Sequence, residues 1–276
     1  FRSVIFVKTQ SIMDVHHHPD LEHKEKKIKE YFLEFLMIFL AVTLGFFAES
    51  LREKMNDHEY EQEYIEHIKD NLVVDTHNLN IWIPALYQRI DNLDTLIDIL
   101  NKPGFTNYGS RMYYLARIST RIGSFEFTDN SIQELKNSGN FRIVRKQNII
   151  NQLVEYEQFK DNYEGLYAIE LKENDLAYPL IGNLFDATIF DKMLVISDTS
   201  NFSAIRFAVG RMNYIIPPPG NPQLRNQDKD KINLLIYYLH QRKSSFNSEI
   251  MLMKKQKQKV AELIQLLDKE YDLNDE

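Results

Sequence analysis

The sequence contains no cysteine, which excludes disulfide bonds and thiolate metal sites. Its 276 residues include only 9 glycines and 8 prolines, a composition that argues against a loop-rich chain and suits long helices. The formal net charge is -7, which gives no support to nucleic-acid binding. The sequence also lacks H-E-x-x-H, G-x-S-x-G and a phosphate-binding glycine loop. We therefore predict that the protein is not an enzyme and binds no nucleic acid.

One apolar run dominates the sequence, residues 31–48, which read YFLEFLMIFLAVTLGFFA and contain a single charged residue, Glu34. A membrane-spanning helix needs about 20 mostly apolar residues, and Leu51 extends the run toward that length. We therefore predict a transmembrane helix over residues 31–51. A cleaved signal peptide is the alternative, because basic residues precede the run and Ala48-Glu49-Ser50 has the small-x-small pattern of a cleavage site.

The distribution of basic residues predicts the orientation of this helix. Lysines crowd its N-terminal side, whereas the C-terminal side carries Arg52 and Lys54 among many carboxylates. The positive-inside rule then places residues 1–30 in the cytoplasm and residues 52–276 on the exported side. Residues 1–12 show no clear pattern, and we expect them to be a non-native extension or a short disordered tail.

Four histidines in the cytoplasmic segment are candidate metal ligands. They are His16, His17, His18 and His23. Imidazole groups bind zinc, nickel and copper well, but consecutive histidines cannot easily all face one ion. We favour a solvated tail and predict no bound metal and no other cofactor.

Two blocks of the sequence are distinctive. Residues 13–53 read MDVHHHPDLEHKEKKIKEYFLEFLMIFLAVTLGFFAESLRE, and residues 131–142 read SIQELKNSGNFR within a second block over 127–156. Together these blocks resemble a family of uncharacterised single-pass membrane proteins of Gram-negative bacteria. The resemblance implies an envelope location and a helical exported part. We expect this location to be the inner membrane and the exported part to lie in the periplasm. It implies no activity and no catalytic residue.

One face of the predicted membrane helix carries small residues. Glu34, Ala41 and Ala48 recur every seven residues, and Gly45 joins them. Small residues let two helices approach closely, and a glutamate in lipid favours a partner. We predict self-association through this face. The alternative is that Glu34 reaches the cytoplasmic headgroups and that the small residues have no partner.

Two rows of apolar residues repeat every seven positions in the exported part. They are Ile65, Leu72, Leu79, Leu86, Leu93 and Leu100, and later Ile232, Leu239, Phe246, Met253, Val260 and Leu267. These rows predict two long helices, over 60–100 and 228–271, packed along each other within one chain. A coiled coil between subunits is the alternative. Pro84 is expected to kink the first helix or to divide it.

Shorter elements are predicted between the long helices. They are a helix over 110–122, a short helix opened by a Ser131–Glu134 capping box and closed at Gly139, a helix over 145–174, a helix over 176–190 broken near Pro179, a turn over 198–203 and a proline-rich loop over 216–226. Glu63, His67 and Asp70 share a face of the first long helix and are alternative cation ligands, although we favour a solvated surface there.

The predicted fold is therefore all-α, with a single N-terminal transmembrane helix followed by an elongated exported helical bundle. The lipid bilayer is the first expected partner, and a second envelope protein is another. We expect a structural or interaction protein of the cell envelope, acting as a scaffold or an accessory subunit. A periplasmic ligand-sensing module is the alternative. Residues 13–29 hold no output domain, so such a module has to signal through a partner.

Overall fold

The computed structural model describes residues 27–193 and 215–273, and their fold is all helical, as predicted. The chain divides into two compact units, Phe1–Asn56 and Asp57–Glu276, with the boundary inside the first helix. The helices of the described part are α1 (Ile28–Asn101), α2 (Gly109–Ser119), α3 (Asn130–Asn137), α4 (Gln147–Leu184), α5 (Ala187–Asp191) and α6 (Lys229–Tyr271). Short 3-10 turns cover Phe105–Tyr108 and Asn140–Ile143.

The first unit contains the apolar start of α1. Its apolar side chains are exposed, including Phe35, Leu44 and Phe46. The most apolar 18-residue window has a mean hydropathy of 2.1, and none of it is buried. By length and composition this helix can cross a membrane, a property that it shares with signal sequences.

Two long helices of the second unit, α1 and α6, lie antiparallel along each other. Lys69 Nζ is 2.6 Å from Asp268 Oδ1, and Lys243 Nζ is 2.6 Å from Asp94 Oδ1. Residue numbers thus fall on α6 as they rise on α1. The predicted packing of these helices within one chain is confirmed.

The third long helix, α4, is also antiparallel to α6. Lys259 Nζ lies 3.4 Å from Glu155 Oε2, and Arg242 Nη1 lies 3.0 Å from Glu170 Oε2. The second unit is therefore built on a bundle of three helices, in which α1 and α4 run parallel and α6 runs the other way.

The core of this unit follows the predicted apolar rows. All six residues of each row are buried, from Ile65 to Leu100 on α1 and from Ile232 to Leu267 on α6. The core has two parts. Met112 and Leu115 of α2 belong to one part, and Ile132 of α3 belongs to the other. The short helices therefore contribute apolar side chains to the two parts of the core.

Two prolines lie inside helices, and neither ends the helix that contains it. The division at Pro84 and the break near Pro179 are therefore not found, and the kink at Pro84 stays a prediction. Pro84 is within α1 and Pro179 is within α4, so α1 is not divided, and the predicted helices over 145–174 and 176–190 are one helix to Leu184. A proline removes one backbone hydrogen bond and crowds the preceding turn. Both prolines are exposed. Pro84 lies directly between the buried Ile83 and Ala85, and the buried residues nearest Pro179 are Ala177 and Ile181, two positions away on either side. Packing of these residues in the core offsets the loss.

The predicted capping box at α3 is wrong. The N-cap is Asp129, which makes no side-chain cap hydrogen bond, and Ser131 lies inside the helix, where its Oγ accepts a hydrogen bond from Asn71 Nδ2 at 2.9 Å. The Asp129 carboxylate instead holds Lys160 Nζ at 2.5 Å. The predicted closure at Gly139 is confirmed by its φ of 72°.

The proline-rich segment over 216–226 is a loop, as predicted, and it docks on the start of α2. Asn221 Oδ1 accepts a hydrogen bond from the Gly109 backbone N–H at 2.7 Å, and Ser110 Oγ donates to the Pro218 carbonyl at 2.6 Å. The loop thus satisfies one backbone N–H group, that of Gly109, which the helix itself leaves unpaired at its first turn. The predicted turn over 198–203 lies outside the described residues.

Candidate functional site

Each long helix of the bundle carries a further buried row, again every seven residues, that includes polar side chains. On α1 it is Glu61, Ile68, Asp75, Trp82, Arg89 and Leu96; on α4 it is Ile149, Tyr156, Tyr163, Glu170, Ala177 and Leu184; on α6 it is Leu235, Arg242, Glu249, Gln256 and Leu263. The bundle interior is therefore apolar along most of its length and polar at defined levels.

Near one end of the bundle, the buried carboxylates are well satisfied. Glu61 Oε1 accepts hydrogen bonds from the Arg145 backbone N–H at 2.8 Å and from Tyr271 Oη at 2.6 Å. Asp75 accepts from the Thr128 backbone N–H at 2.8 Å and from the Tyr156 hydroxyl. These carboxylates join α1 to the other two long helices and to the loop before α3.

The middle of the bundle holds what we call the central charge cluster, which consists of Arg89, Glu170, Arg242 and Glu249. Arg242 is 0% exposed, and the other three are between 2% and 8% exposed. Glu249 Oε1 accepts a hydrogen bond from Trp82 Nε1 at 2.8 Å. Two positive and two negative groups share this level, so each charge has an opposite partner nearby. Such pairing limits the large cost of removing charges from water.

The two guanidinium groups of the cluster lie close to one aromatic ring. Arg242 Cζ is 4.6 Å from the centroid of Phe246, and Arg89 Cζ is 5.4 Å from the same centroid and 5.9 Å from that of Trp82. Cation–π attraction stabilises both charges there. Some donors nevertheless stay unused, since Arg89 Nη2 and Arg242 Nη2 are buried and have no hydrogen-bond partner among the described residues.

Burial shifts the titration of the cluster. It raises the pKa of Glu249 to about 7, and the nearby charge of Glu170 adds to this effect. Burial also raises the pKa of Glu170 and lowers that of Arg89 to about 10. As the pH falls through about 7, Glu249 therefore takes up a proton, and the net charge of the cluster becomes more positive.

A cavity of about 180 Å³ lies beside the cluster, and we call it the arginine cavity. Its charged lining residues are Arg89 of α1, Arg111 of α2 and Arg121, which follows α2. Gln88 and Asn92 add amide groups, and the other lining residues are Leu93, Tyr114, Ile118, Ser119 and Phe246. None of the lining residues in the described part of the chain is acidic. The arrangement suits a negatively charged ligand.

Hydrogen bonds from α4 and α6 fix the backbone that carries Arg121. Tyr238 Oη donates to Asn174 Oδ1 at 3.1 Å, and Asn174 Nδ2 donates to the Thr120 carbonyl at 3.0 Å. A little further on, the Phe125 backbone N–H donates to Tyr163 Oη at 2.7 Å. Arg111 is exposed, with its Cζ 5.7 Å from the ring centroid of Tyr114. The cavity thus has one buried arginine, one half-buried arginine and one at its rim.

The residues singled out in the sequence lie elsewhere. Glu63, His67 and Asp70 are exposed on α1, and within residues 27–193 and 215–273 no group of three His, Asp or Glu side chains is placed to hold a metal ion. The four candidate metal ligands near the N-terminus, His16, His17, His18 and His23, lie outside the described residues.

The small residues of the first unit lie on the helix surface, as a self-association interface requires, but a single chain cannot show whether a second copy binds there. Ala41, Gly45 and Ala48 are exposed, Glu34 is half-buried, and a Cβ added at Gly45 meets nothing within 4 Å. Self-association therefore stays a prediction.

Sequence reasoning missed the central charge cluster and the arginine cavity. A signal was present for the cluster, because Glu61, Asp75 and Arg89 lie 14 residues apart in a helix with a seven-residue apolar repeat. With the apolar row that includes Leu72 and Leu86 at the a positions of the heptad, these charged residues fall at d, the second position that faces the core. No comparable signal connects Arg111 and Arg121 to Arg89.

The chain was also compared with known proteins. No protein family, no characterised protein and no solved structure matches it. The resemblance of residues 13–53 and 127–156 to envelope proteins therefore stays a prediction, and the proposals for function rest on the geometry described above.

Proposed function

We propose that the chain is a single-pass protein of the inner membrane of a cell envelope. Residues 31–51 cross the bilayer, the N-terminus stays in the cytoplasm, and the helical unit lies in the periplasm. There it serves as an interaction module, either a scaffold or an accessory subunit. The observation that carries this proposal is the exposed apolar surface at the start of α1.

That surface is large, and none of its most apolar window is buried against the described part of the chain. Phe46 is 74% exposed and Phe35 is 64% exposed. Soluble proteins rarely show apolar patches of this extent, whereas a bilayer removes them from water. Lys27 and Lys29 precede the apolar run, which supports the orientation with the N-terminus inside.

Apolar residues on the helical unit support an interaction role. Leu176 of α4 is 70% exposed and Tyr237 of α6 is 60% exposed. Both are close in sequence to Asn174 and Tyr238, which are hydrogen-bonded to each other across the two helices. They therefore lie at the same level of the bundle, where they offer a protein partner an aromatic and an aliphatic contact.

Reporter fusions test the topology. We expect alkaline phosphatase fused after Glu276 to be active in a Gram-negative host and a cytoplasmic reporter at that position to be inactive. The reverse pattern contradicts the proposed orientation. Mass spectrometry of the membrane-bound protein distinguishes an anchor from a signal peptide, because cleavage after Ser50 removes the apolar segment and releases the remainder.

A second candidate function is ligand sensing, and the arginine cavity is the observation that favours it. Arg89 belongs both to the cavity and to the central charge cluster, so a ligand there acts on contacts among all three long helices. Purification from detergent-solubilised membranes separates the two candidates. A stoichiometric protein partner supports the scaffold, and a bound small molecule released on denaturation supports the sensor.

A further inference from the structure

We propose that the arginine cavity binds a small oxyanion carrying two negative charges, in the size range of phosphate, sulfate or a short dicarboxylate. Three guanidinium groups line the cavity, and no lining residue of the described chain is acidic. Guanidinium groups bind carboxylate and phosphate oxygens through paired hydrogen bonds, and they keep their charge at any physiological pH.

Arg89 provides an independent indication. Its side chain is 8% exposed, and its Nη2 is buried with no hydrogen-bond partner among the described residues. Glu249 and Glu170 attract its charge but do not satisfy this donor. An unpaired buried donor is costly, and it is rare in proteins unless a water or a ligand completes it. An anion in the cavity supplies an acceptor of the required charge.

The size and lining of the cavity narrow the ligand class. A volume of about 180 Å³ is below the usual range for drug-sized or nucleotide ligands. Gln88 and Asn92 offer amide donors next to the arginines. Ser119 already donates its hydroxyl to the Ala116 carbonyl at 2.9 Å, so it is not counted as a donor to the ligand. A compact oxyanion fits both the volume and the donors.

Anion binding here does not require a membrane or a protein partner. It names the ligand class of the sensory candidate, and it is separate from the scaffold proposal. If the reporter fusions contradict the topology, the anion-binding proposal is unaffected. If the titration shows no anion binding, the scaffold proposal is unaffected.

The test is isothermal titration of the full chain in detergent with sodium phosphate, sodium sulfate and disodium succinate, at constant ionic strength set with chloride. We expect saturable binding of at least one of the three anions at one site per chain. Binding of phosphate and sulfate but not of succinate indicates that the ligand is a tetrahedral oxyanion. Binding of succinate alone indicates that it is a dicarboxylate. Absence of binding by all three, with the protein folded by circular dichroism, overturns the proposal.

Two variants locate the site, and a third is the matched control. Arg111→Gln, at the exposed rim, should weaken binding by about tenfold or more, since a hydrogen bond to a charged group contributes at least that much. Arg89→Lys keeps the charge but loses the planar donor pair, and it should weaken binding further. Arg142→Gln removes an exposed arginine outside the cavity and should leave binding unchanged. Equal losses in Arg111→Gln and Arg142→Gln exclude the arginine cavity as the site.

Discussion

Arg242 and Glu170 face each other inside the bundle, with Arg242 Nη1 3.0 Å from Glu170 Oε2 and both side chains shielded from water. Arg242 belongs to α6 and Glu170 to α4. At the same level of the bundle, Arg89 of α1 also attracts the Glu170 carboxylate. A buried ion pair of this kind adds little net stability, yet breaking it leaves an uncompensated charge and costs about 3–5 kcal/mol. A shift of α6 along α4 separates these opposite charges, so we expect the pair to disfavour other alignments of the two helices.

The first prediction concerns pH. The pKa of Glu249 is about 7 in the folded protein against an ordinary 4.5, so the folded state keeps a proton that the unfolded state releases between these values. The stabilisation is complete below pH 4.5 and is lost as the pH rises through 7. We expect a lower melting temperature at pH 8 than at pH 5.5, with Glu249 contributing at most about 3 kcal/mol.

The matched variant is Glu249→Gln, which keeps the shape but cannot titrate. It should reduce the difference in melting temperature between pH 5.5 and pH 8. The groups facing Glu249 are Trp82 and Arg89 from α1 and Tyr163 and Glu170 from α4. Arg242, on the same helix as Glu249, faces Glu170. An unchanged pH profile in the variant assigns the titration to another group.

The second prediction compares two glycines. A Cβ at Gly109 meets the Pro222 carbonyl oxygen at 2.0 Å, because the loop over 216–226 docks there. Gly109→Ala should therefore lower stability by about 1–3 kcal/mol through overpacking. A Cβ at Gly165 meets nothing within 4 Å, so Gly165→Ala should raise stability by up to about 1 kcal/mol through helix propensity. The melting temperatures of both variants are measured by thermal unfolding. Equal melting temperatures contradict the docking of the loop at Gly109.

The third prediction tests the predicted apolar rows. Leu86 and Leu239 are 1% and 0% exposed, and truncation of either to alanine should cost about 2–5 kcal/mol. Leu234 lies on α6 but is 50% exposed, so Leu234→Ala is the control and should have little effect. A similar melting temperature for Leu239→Ala and Leu234→Ala is incompatible with the packing described here.

The fourth prediction separates a bundle within one chain from a coiled coil between chains. Lys69 and Asp268 form an ion pair between α1 and α6, and the chain has no cysteine of its own. With cysteines at both positions, a short bis-maleimide should link the two helices within one chain. Mixing chains with two different tags provides the control. Products that carry both tags, with none formed within a chain, indicate the coiled coil.

The fifth prediction concerns self-association in the membrane. We expect Gly45→Leu to block close approach of two helices and to reduce cross-linked dimers in native membranes. Thr43 lies about 160° around the helix from Gly45, so Thr43→Leu adds comparable bulk on another face and should leave the dimers intact. Dimers that persist in Gly45→Leu, or a protein that is monomeric from the start, exclude an interface at Glu34, Ala41, Gly45 and Ala48.

The apolar pattern of the sequence was sufficient to locate α1 and α6, two of the three long helices of the bundle, and their buried faces. A residue such as Leu72 or Leu239 is buried for the same reason in any arrangement, because removing apolar surface from water does not depend on a particular partner. Periodicity therefore predicts which face is buried. The loop over 216–226 was also predicted from the sequence, because closely spaced prolines exclude a helix.

Local signals were less reliable where packing competes with them. Pro84 and Pro179 are helix breakers in isolation, yet each lies on an exposed face of a helix whose opposite face is buried, and the helices continue. Ser131 has the spacing of a capping box, but its hydroxyl accepts from Asn71 of α1 instead. In each case contacts between elements outweigh a local preference of about 1–3 kcal/mol.

An apolar helix near the N-terminus and a bundle with two long amphipathic helices follow from the residue pattern alone. The identity of the buried charges and of their partners follows only from the way the helices pack. Arg89, Arg111 and Arg121 line one cavity although they belong to separate parts of the chain, and Glu170 meets Arg242 across 72 residues of sequence. The physical reason is that burial of a charge is tolerated only with a partner at the right distance and angle. Such partners come from other elements, and their position is set by the packing of the whole bundle.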